Sequence, residues 1–239
     1  MVKGNNDIEN QIRKKYQEIE LGHSAICDRC KEQYDNLSRP IGLWFVGNRF
    51  VDNKYRILFI GKNARGEPGE LDGAFMNQFN FARNCLWDKK WAYWGYTRAI
   101  TEKVFGERDD LEEDIAFTNI VKCNISDTID NTPELLRNNC VNEMKVIQNE
   151  IEIINPNIII MYTANEYDKE MEKIFTLSEV KDTRVKVGKR DMPWREANIV
   201  YGNNRNGRLL RVGHPERKKK EGETGFVTLV SRWINNEQP

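Results

Sequence analysis

The sequence predicts an α/β protein with three α/β/α layers and a mostly parallel central sheet of about four strands. Three observations carry this. Ile57–Ile60, Ile115–Val121, Asn157–Tyr162 and Leu209–Val212 are short apolar runs of the kind that parallel strands buried on both faces show. Segments with helical spacing lie between them, and strands alternating with helices make a parallel sheet covered on both sides. Each run also breaks into a polar loop bearing Gly, Asn or His, and open α/β sheets bind ligands at the carboxyl ends of their strands. The stretch YRILFIGKNARGEPG, from Tyr55 to Gly69, is the clearest case.

In chain order, Asp7 to Leu21 carries Ile8, Ile12, Tyr16 and Ile19 at helical spacing, so an amphipathic helix is expected with Gly22 as its stop. Cys27-Asp-Arg-Cys30 follows, and the segment 7–36 reads as a helix plus cysteine pair. Leu43–Val46 reads as a short strand ending in a Gly47-Asn48 turn. Arg56 to Gly61 is the organising strand. From about 70 to 106 the chain is an aromatic insertion that includes Phe75, Phe79, Phe81, Trp87, Trp91, Tyr93, Trp94, Tyr96 and Phe105. Most of these suit a satellite core, and one or two suit stacking on a planar ligand. Tyr93 to Phe105 reads as a helix.

Thr132 reads as the N-cap and Pro133 as the first residue of a long helix running to about Ile153, ended by Asn155-Pro156. A helix is expected over Ala164–Phe175. Short strands are expected at Arg184–Val187 and Asn198–Tyr201, flanking a loop with Pro193-Trp194. Gly225 to Asn235 reads as a closing helix. No internal repeat or linker divides the chain, so residues 1–239 are read as a single domain.

The 239 residues carry 37 basic and 37 acidic side chains, so any nucleic-acid surface must be local. No apolar run approaches the roughly 18–20 residues of a membrane span, and the N-terminus lacks the apolar core of a signal peptide. A cytoplasmic protein without membrane contact is the expectation, and its five cysteines then do not form a disulfide framework. Cys27 and Cys30 have metal-site spacing. Cys123 ends the third strand and Cys140 lies in the next helix, so the two pairs can meet. Four thiolates suit either a tetrahedral zinc or a four-iron cluster. Cys85 fits neither pair and is read as a free core thiol.

Taken together and in order, these pieces resemble the uracil-DNA glycosylase superfamily, most closely its iron–sulfur (family 4) members. The resemblance rests on Cys27 and Cys30, Trp44–Gly47, Ile57–Gly66, Thr118-Asn-Ile-Val-Lys-Cys123, Cys140, Asn155–Ile160 and Gly213-His-Pro215. It spans roughly residues 8 to 234. It implies a [4Fe–4S] cluster on Cys27, Cys30, Cys123 and Cys140, with zinc as the alternative. It also implies DNA as the partner, with an extruded base, and a monomer.

The implied activity is base excision of uracil or another deaminated base, with a non-standard water-positioning residue. The alternative is a divergent or inactive member that binds nucleic acid or a nucleotide through the same pocket. Lys62 stands where the family carries its acidic residue, the family's uracil-stacking segment is not recognisable, and His-Pro-Glu replaces His-Pro-Ser. The expected catalytic residues are His214, donating to a base carbonyl, and Asn63 with Glu67, holding water. Gly61, Asn119 and Phe79 would contact the base; the Asn119 amide both donates and accepts, as a pyrimidine edge requires. Arg65 and the basic run Arg217, Lys218, Lys219 and Lys220 would contact DNA phosphates, and Lys62 could join them.

Overall fold

A computed structural model of the chain describes residues 4–42, 45–63, 86, 92–125, 132–215 and 222–237. Helix α1 (Gly4–Glu18) is followed by α2 (Ala25–Gln33) and a two-residue strand, β1 (Phe45–Val46). Then come β2 (Ile57–Asn63), α3 (Ala92–Phe105) and β3 (Ile115–Val121). The next stretch holds a short helix α4 (Glu134–Arg137), a π-helical segment (Asn138–Glu143) and α5 (Val146–Ile154). Strand β4 (Ile158–Met161) and α6 (Asp168–Ile174) lead into β5 (Thr176–Val187), β6 (Arg190–Tyr201) and β7 (Arg205–Val212), and α7 (Phe226–Ile234) closes the chain.

The strands form one seven-stranded sheet of order β1-β3-β2-β4-β7-β6-β5. The four central strands, β3-β2-β4-β7, pair in parallel. This is the parallel core that the four apolar runs predicted. The sheet is nevertheless larger than about four strands, because β1, β6 and β5 add antiparallel pairs at its two edges. In chain order the parallel strands lie second-first-third-fourth, a doubly wound arrangement whose order reverses between β2 and β4.

The central strands are apolar because both faces are covered. Successive strand residues point to opposite faces. Phe117 packs its ring against Trp94 of α3 at 4.7 Å. The next residue, Thr118, donates a 2.8 Å hydrogen bond to Glu150 of α5 from the other face. Helices therefore cover both sides: α3 with α7, joined by the Tyr96–Phe226 ring contact, and α1 with α5, joined by a hydrogen bond from Tyr16 to Glu150.

Three local expectations are corrected. The stretch read as two short strands around a Pro-Trp loop is a hairpin of two 12-residue strands, turning at Gly188-Lys189. Gly188 has φ 63, as a two-residue turn with glycine at its first central position requires. Pro193 lies inside β6, which its missing N–H permits. It pairs with Arg184 of β5, but the pairing with β7 begins only at Trp194, so no strand on that side awaits a donor. The exposed strand β5 is an edge protected by charged side chains and by a bulge between Ser178 and Lys181, where Glu179 has φ 52.

The long helix expected from Thr132 to Ile153 is broken. Its π segment is closed by an N–H of Met144 donating to the Asn139 carbonyl, and Lys145 takes a left-handed turn at φ 53 before α5 begins. Pro133, not Thr132, occupies the position before the first helical residue. The Thr132 hydroxyl instead receives a 2.7 Å hydrogen bond from Tyr167. The helix expected from Ala164 starts at Asp168, because Ala164 has φ 50 and bonds across to β7.

Candidate functional site: the carboxyl edge of the parallel strands

The site is built where β2 and β3 end. Gly61 pairs with Asn119 across these strands. A Cβ at position 61 would lie 2.3 Å from Asn119 Oδ1 and 2.7 Å from the Tyr93 hydroxyl, so only glycine leaves room for both. Asn63, two residues on, points to the same face as Gly61. It is 6% exposed, and neither its amide oxygen nor its amide nitrogen has a hydrogen-bond partner among the described residues. Tyr93, near the start of α3, turns its ring edge-on to Phe117 and Tyr162 and stacks on His214 at 5.6 Å. Its hydroxyl is buried, again without a partner among the described residues. Burial, reinforced by the neighbouring Tyr162, pushes its pKa well above the tyrosine range, so it remains a neutral donor. His214 reaches this place from the loop after β7 and is half-buried.

The structure thus brings Gly61, Asn63, Asn119 and His214 to one edge. Glu67, Phe79, Arg65, Arg217, Lys218, Lys219 and Lys220 lie outside the described residues, as does Cys85. Sequence reasoning missed Tyr93 as a site residue, because its signal was submerged in a stretch full of aromatics. Lys62, between Gly61 and Asn63, points to the opposite face of β2. Its Nζ lies 2.7 Å from the Glu166 carboxylate.

Beneath Asn119 runs a buried network on the α5 face. Lys122 Nζ donates to Glu150 (2.7 Å), Thr118 (2.8 Å) and the Asn119 carbonyl (2.6 Å). Lys122 and Glu150 are fully buried. An ion pair removed from water in this way needs every remaining lone pair and proton satisfied. Tyr16 supplies the bond to the second Glu150 oxygen.

The cysteines gather beside this network. Ser24 caps α2 by accepting from the Cys27 N–H at 3.2 Å, which places Cys27 and Cys30 one turn apart on the same helix face. Cys123 follows β3, and Cys140 sits within the π segment. All four line one cavity of about 260 Å³, walled mainly by Leu21, Ile26, Leu37, Val121, Leu136 and Met144. One water needs only roughly 10–15 Å³ on this measure. Among the described residues no three His, Cys, Asp or Glu side chains converge on a single ion position as they stand. Cys27 Sγ accepts from the Gly22 N–H at 3.2 Å and contacts Met144 Sδ, and Cys30 Sγ accepts from Asn139 at 3.0 Å. Burial pushes the Cys140 thiol up to about 12. Burial also pushes the Cys123 thiol well above its usual range, with Cys140, Cys27 and Cys30 adding to the effect. The four sulfurs thus share one cavity. Their number, softness and apolar surroundings suit a thiolate-bound metal group, whose cations would convert these neutral thiols to thiolates.

No family model matches the chain, and no curated protein is similar to it in sequence.

Proposed function

We propose that this protein is a base-excision glycosylase of the uracil-DNA glycosylase type, acting on uracil or another deaminated base in DNA. The architecture is read as three α/β/α layers around the parallel core. The observation that carries the reading is the set of buried polar atoms without partners at the carboxyl edge: both atoms of the Asn63 amide and the Tyr93 hydroxyl. Leaving such groups unsatisfied costs about 1–3 kcal/mol each, so they are understood as waiting for a ligand. A base edge presenting a carbonyl beside an N–H supplies what an amide side chain lacks.

Excision needs the base out of the helix and in a pocket. It also needs stabilisation of the negative charge that develops on the departing base. Gly61 leaves room for the Asn119 amide and the Tyr93 hydroxyl side by side. Asn119 and Asn63 read the base edge. His214, oriented by stacking on Tyr93, donates to the base carbonyl.

The four cysteines would hold a [4Fe–4S] cluster. A zinc requires all four sulfurs about 2.3 Å from one point, whereas a cluster distributes them over separate irons. The four thiols line one cavity, and the resemblance to the iron–sulfur members favours the cluster. Its contribution is structural: it would tie α2, the end of β3 and the π segment together.

The test is single-turnover base release from single-stranded and duplex oligonucleotides carrying one uracil or one hypoxanthine. Alkali-sensitive strand breaks are expected with the native chain and sharply reduced ones with Asn63→Ala and His214→Ala. Tight, salt-sensitive binding of uracil strands with no abasic product over hours would favour the base-binding alternative. In a second assay, absorption near 400 nm with about four irons per chain is expected; a colourless protein with one zinc would overturn the cluster.

A further inference from the structure

The hairpin β5–β6 outruns the sheet it joins. Val212, the last residue of β7, stands opposite Trp194, and the hairpin continues beyond it from Arg184 and Pro193 to Val187 and Arg190. At roughly 3.3 Å per residue this arm projects about 13 Å past the carboxyl end of β7. Its inner side is packed, with Val187 and Met192 buried. A Cβ at Gly213 would lie 3.2 Å from Met192 Cγ, so the arm lies hard against the backbone that carries His214. At the turn, the Gly188 N–H donates to the Thr224 carbonyl at 3.0 Å, which ties the tip to the segment before α7.

The tip differs in charge from the rest of the hairpin. Arg184, Lys186, Lys189 and Arg190 are all exposed, and Asp191 is the one acid between residues 184 and 191. None of the four cations forms an ion pair among the described residues; Arg184 donates to the Asp191 carbonyl at 3.5 Å. Nearer the root the cations are paired. Arg195 lies 2.7 Å from Glu172 and 3.4 Å from Asp168, and Arg211 lies 2.9 Å from Asp168. Charged side chains of either sign protect an edge strand. Edge protection therefore accounts for the mixed Glu179, Lys181 and Asp182, but not for a tip of one sign. In a chain with 37 basic and 37 acidic residues, this excess makes a local field that attracts anions.

We propose that the tip of the β5–β6 hairpin is a phosphate-gripping arm, on which Arg184, Lys186, Lys189 and Arg190 hold the backbone of the DNA strand flanking the base seated at Asn63. This inference rests on the DNA-binding part of the glycosylase reading. A strand laid across the carboxyl edge presents its phosphates along that edge. Side chains on an arm that stands beyond the edge meet them without entering the base pocket. Phosphate contacts set register and orientation and carry no sequence information. The arm therefore supplies affinity and placement, and base recognition stays with the residues at Asn63 and His214. Because the arm packs against Gly213, a strand gripped by it is held in a fixed relation to the neighbouring His214.

The experiment is fluorescence anisotropy of labelled oligonucleotides, with and without one uracil, titrated with the full chain at salt from about 50 to 200 mM. The double variant Lys186→Gln/Lys189→Gln is compared with a charge-matched control on α1, Lys14→Gln/Lys15→Gln. Loss of two phosphate contacts should reduce the slope of log affinity against log salt by about 1.8 on duplex and about 1.4 on single strands. Affinity at about 100 mM salt should fall by about tenfold or more, equally for uracil-bearing and plain strands. The control should keep the native slope, and the arm variant should unfold at the native midpoint, since it loses only exposed side chains without ion pairs. Native affinity and slope in the arm variant would overturn the proposal, as would an equal loss in the control. A loss confined to uracil-bearing strands would make these residues base readers and overturn the phosphate assignment.

Base release by the native chain separates the arm from the reading beneath it. If the native chain releases no base while the arm variant alone loses salt-sensitive binding, the glycosylase reading falls and the arm stands. If the native chain releases base and the arm variant binds as the native chain does, the arm falls and the reading stands. A native chain that binds neither kind of strand overturns both.

Discussion

On the α5 face of β3, Glu150 accepts from Tyr16, Thr118 and Lys122, while Lys122 also bonds the Asn119 carbonyl. On the opposite face, Asn63 and the Tyr93 hydroxyl are equally withdrawn from water, yet no protein group among the described residues meets them. The first arrangement belongs to β3 with α1 and α5, the second to the neighbouring strand β2 and to α3. Buried polar groups are normally satisfied, so the first set is understood as framework. The second set is one of several places where buried polar atoms lack a partner among the described residues, and it is the one at the edge where doubly wound sheets bind ligands. The two sets should therefore respond to mutation in opposite ways: the first through stability, the second through ligand binding and catalysis.

The largest effect is expected at Lys122. Lys122→Met leaves the Glu150 carboxylate buried without its cation and should cost about 3–5 kcal/mol in denaturant unfolding. A loss below about 1 kcal/mol, the scale of an exposed ion pair, would remove the framework half of the comparison. Asn63→Ala is next and opposite in kind. Base release should fall by about 10²–10³-fold, as for loss of one preorganised amide donor. Stability should move by no more than about 1 kcal/mol, because no protein hydrogen bond is broken. A large loss of stability with unchanged release would make Asn63 framework.

Tyr201 offers a smaller, pH-dependent check on the framework side. Its hydroxyl is bonded to the Pro156 carbonyl, and burial pushes its pKa up to about 12 from the usual 10. The folded state holds this proton more tightly than the unfolded chain. The resulting stability is complete below pH 10 and is lost as pH rises toward 12. It amounts to about 2 kcal/mol at most, and Tyr201→Phe should flatten that part of the alkaline unfolding curve. The smallest effect is expected from Tyr93→Phe. Removing an unpartnered hydroxyl should leave stability unchanged or raise it by up to about 1 kcal/mol. Affinity for uracil-bearing strands should fall by about tenfold, the worth of one such hydrogen bond. A Tyr93→Phe chain that unfolds more readily would show that the hydroxyl already has a partner.

The chain by itself determined the parallel core, because a strand covered on both faces must be apolar throughout, and such runs stand out at Ile57–Ile60 and Ile115–Val121. It also marked Gly61, Asn63, Asn119 and His214, because site residues at strand ends follow those runs directly. The four cysteines were legible from their spacing. Tertiary structure alone decided the rest. The hairpin β5–β6 was hidden because one face is solvated and charged, and because its proline is tolerated only where β7 has not yet begun. The break at the π segment was hidden because helical spacing is nearly the same through a single wide turn. Tyr93 has no local signal of its own, being an aromatic among aromatics. What distinguishes it is what it faces, and that is set by how α3 packs across the ends of the strands.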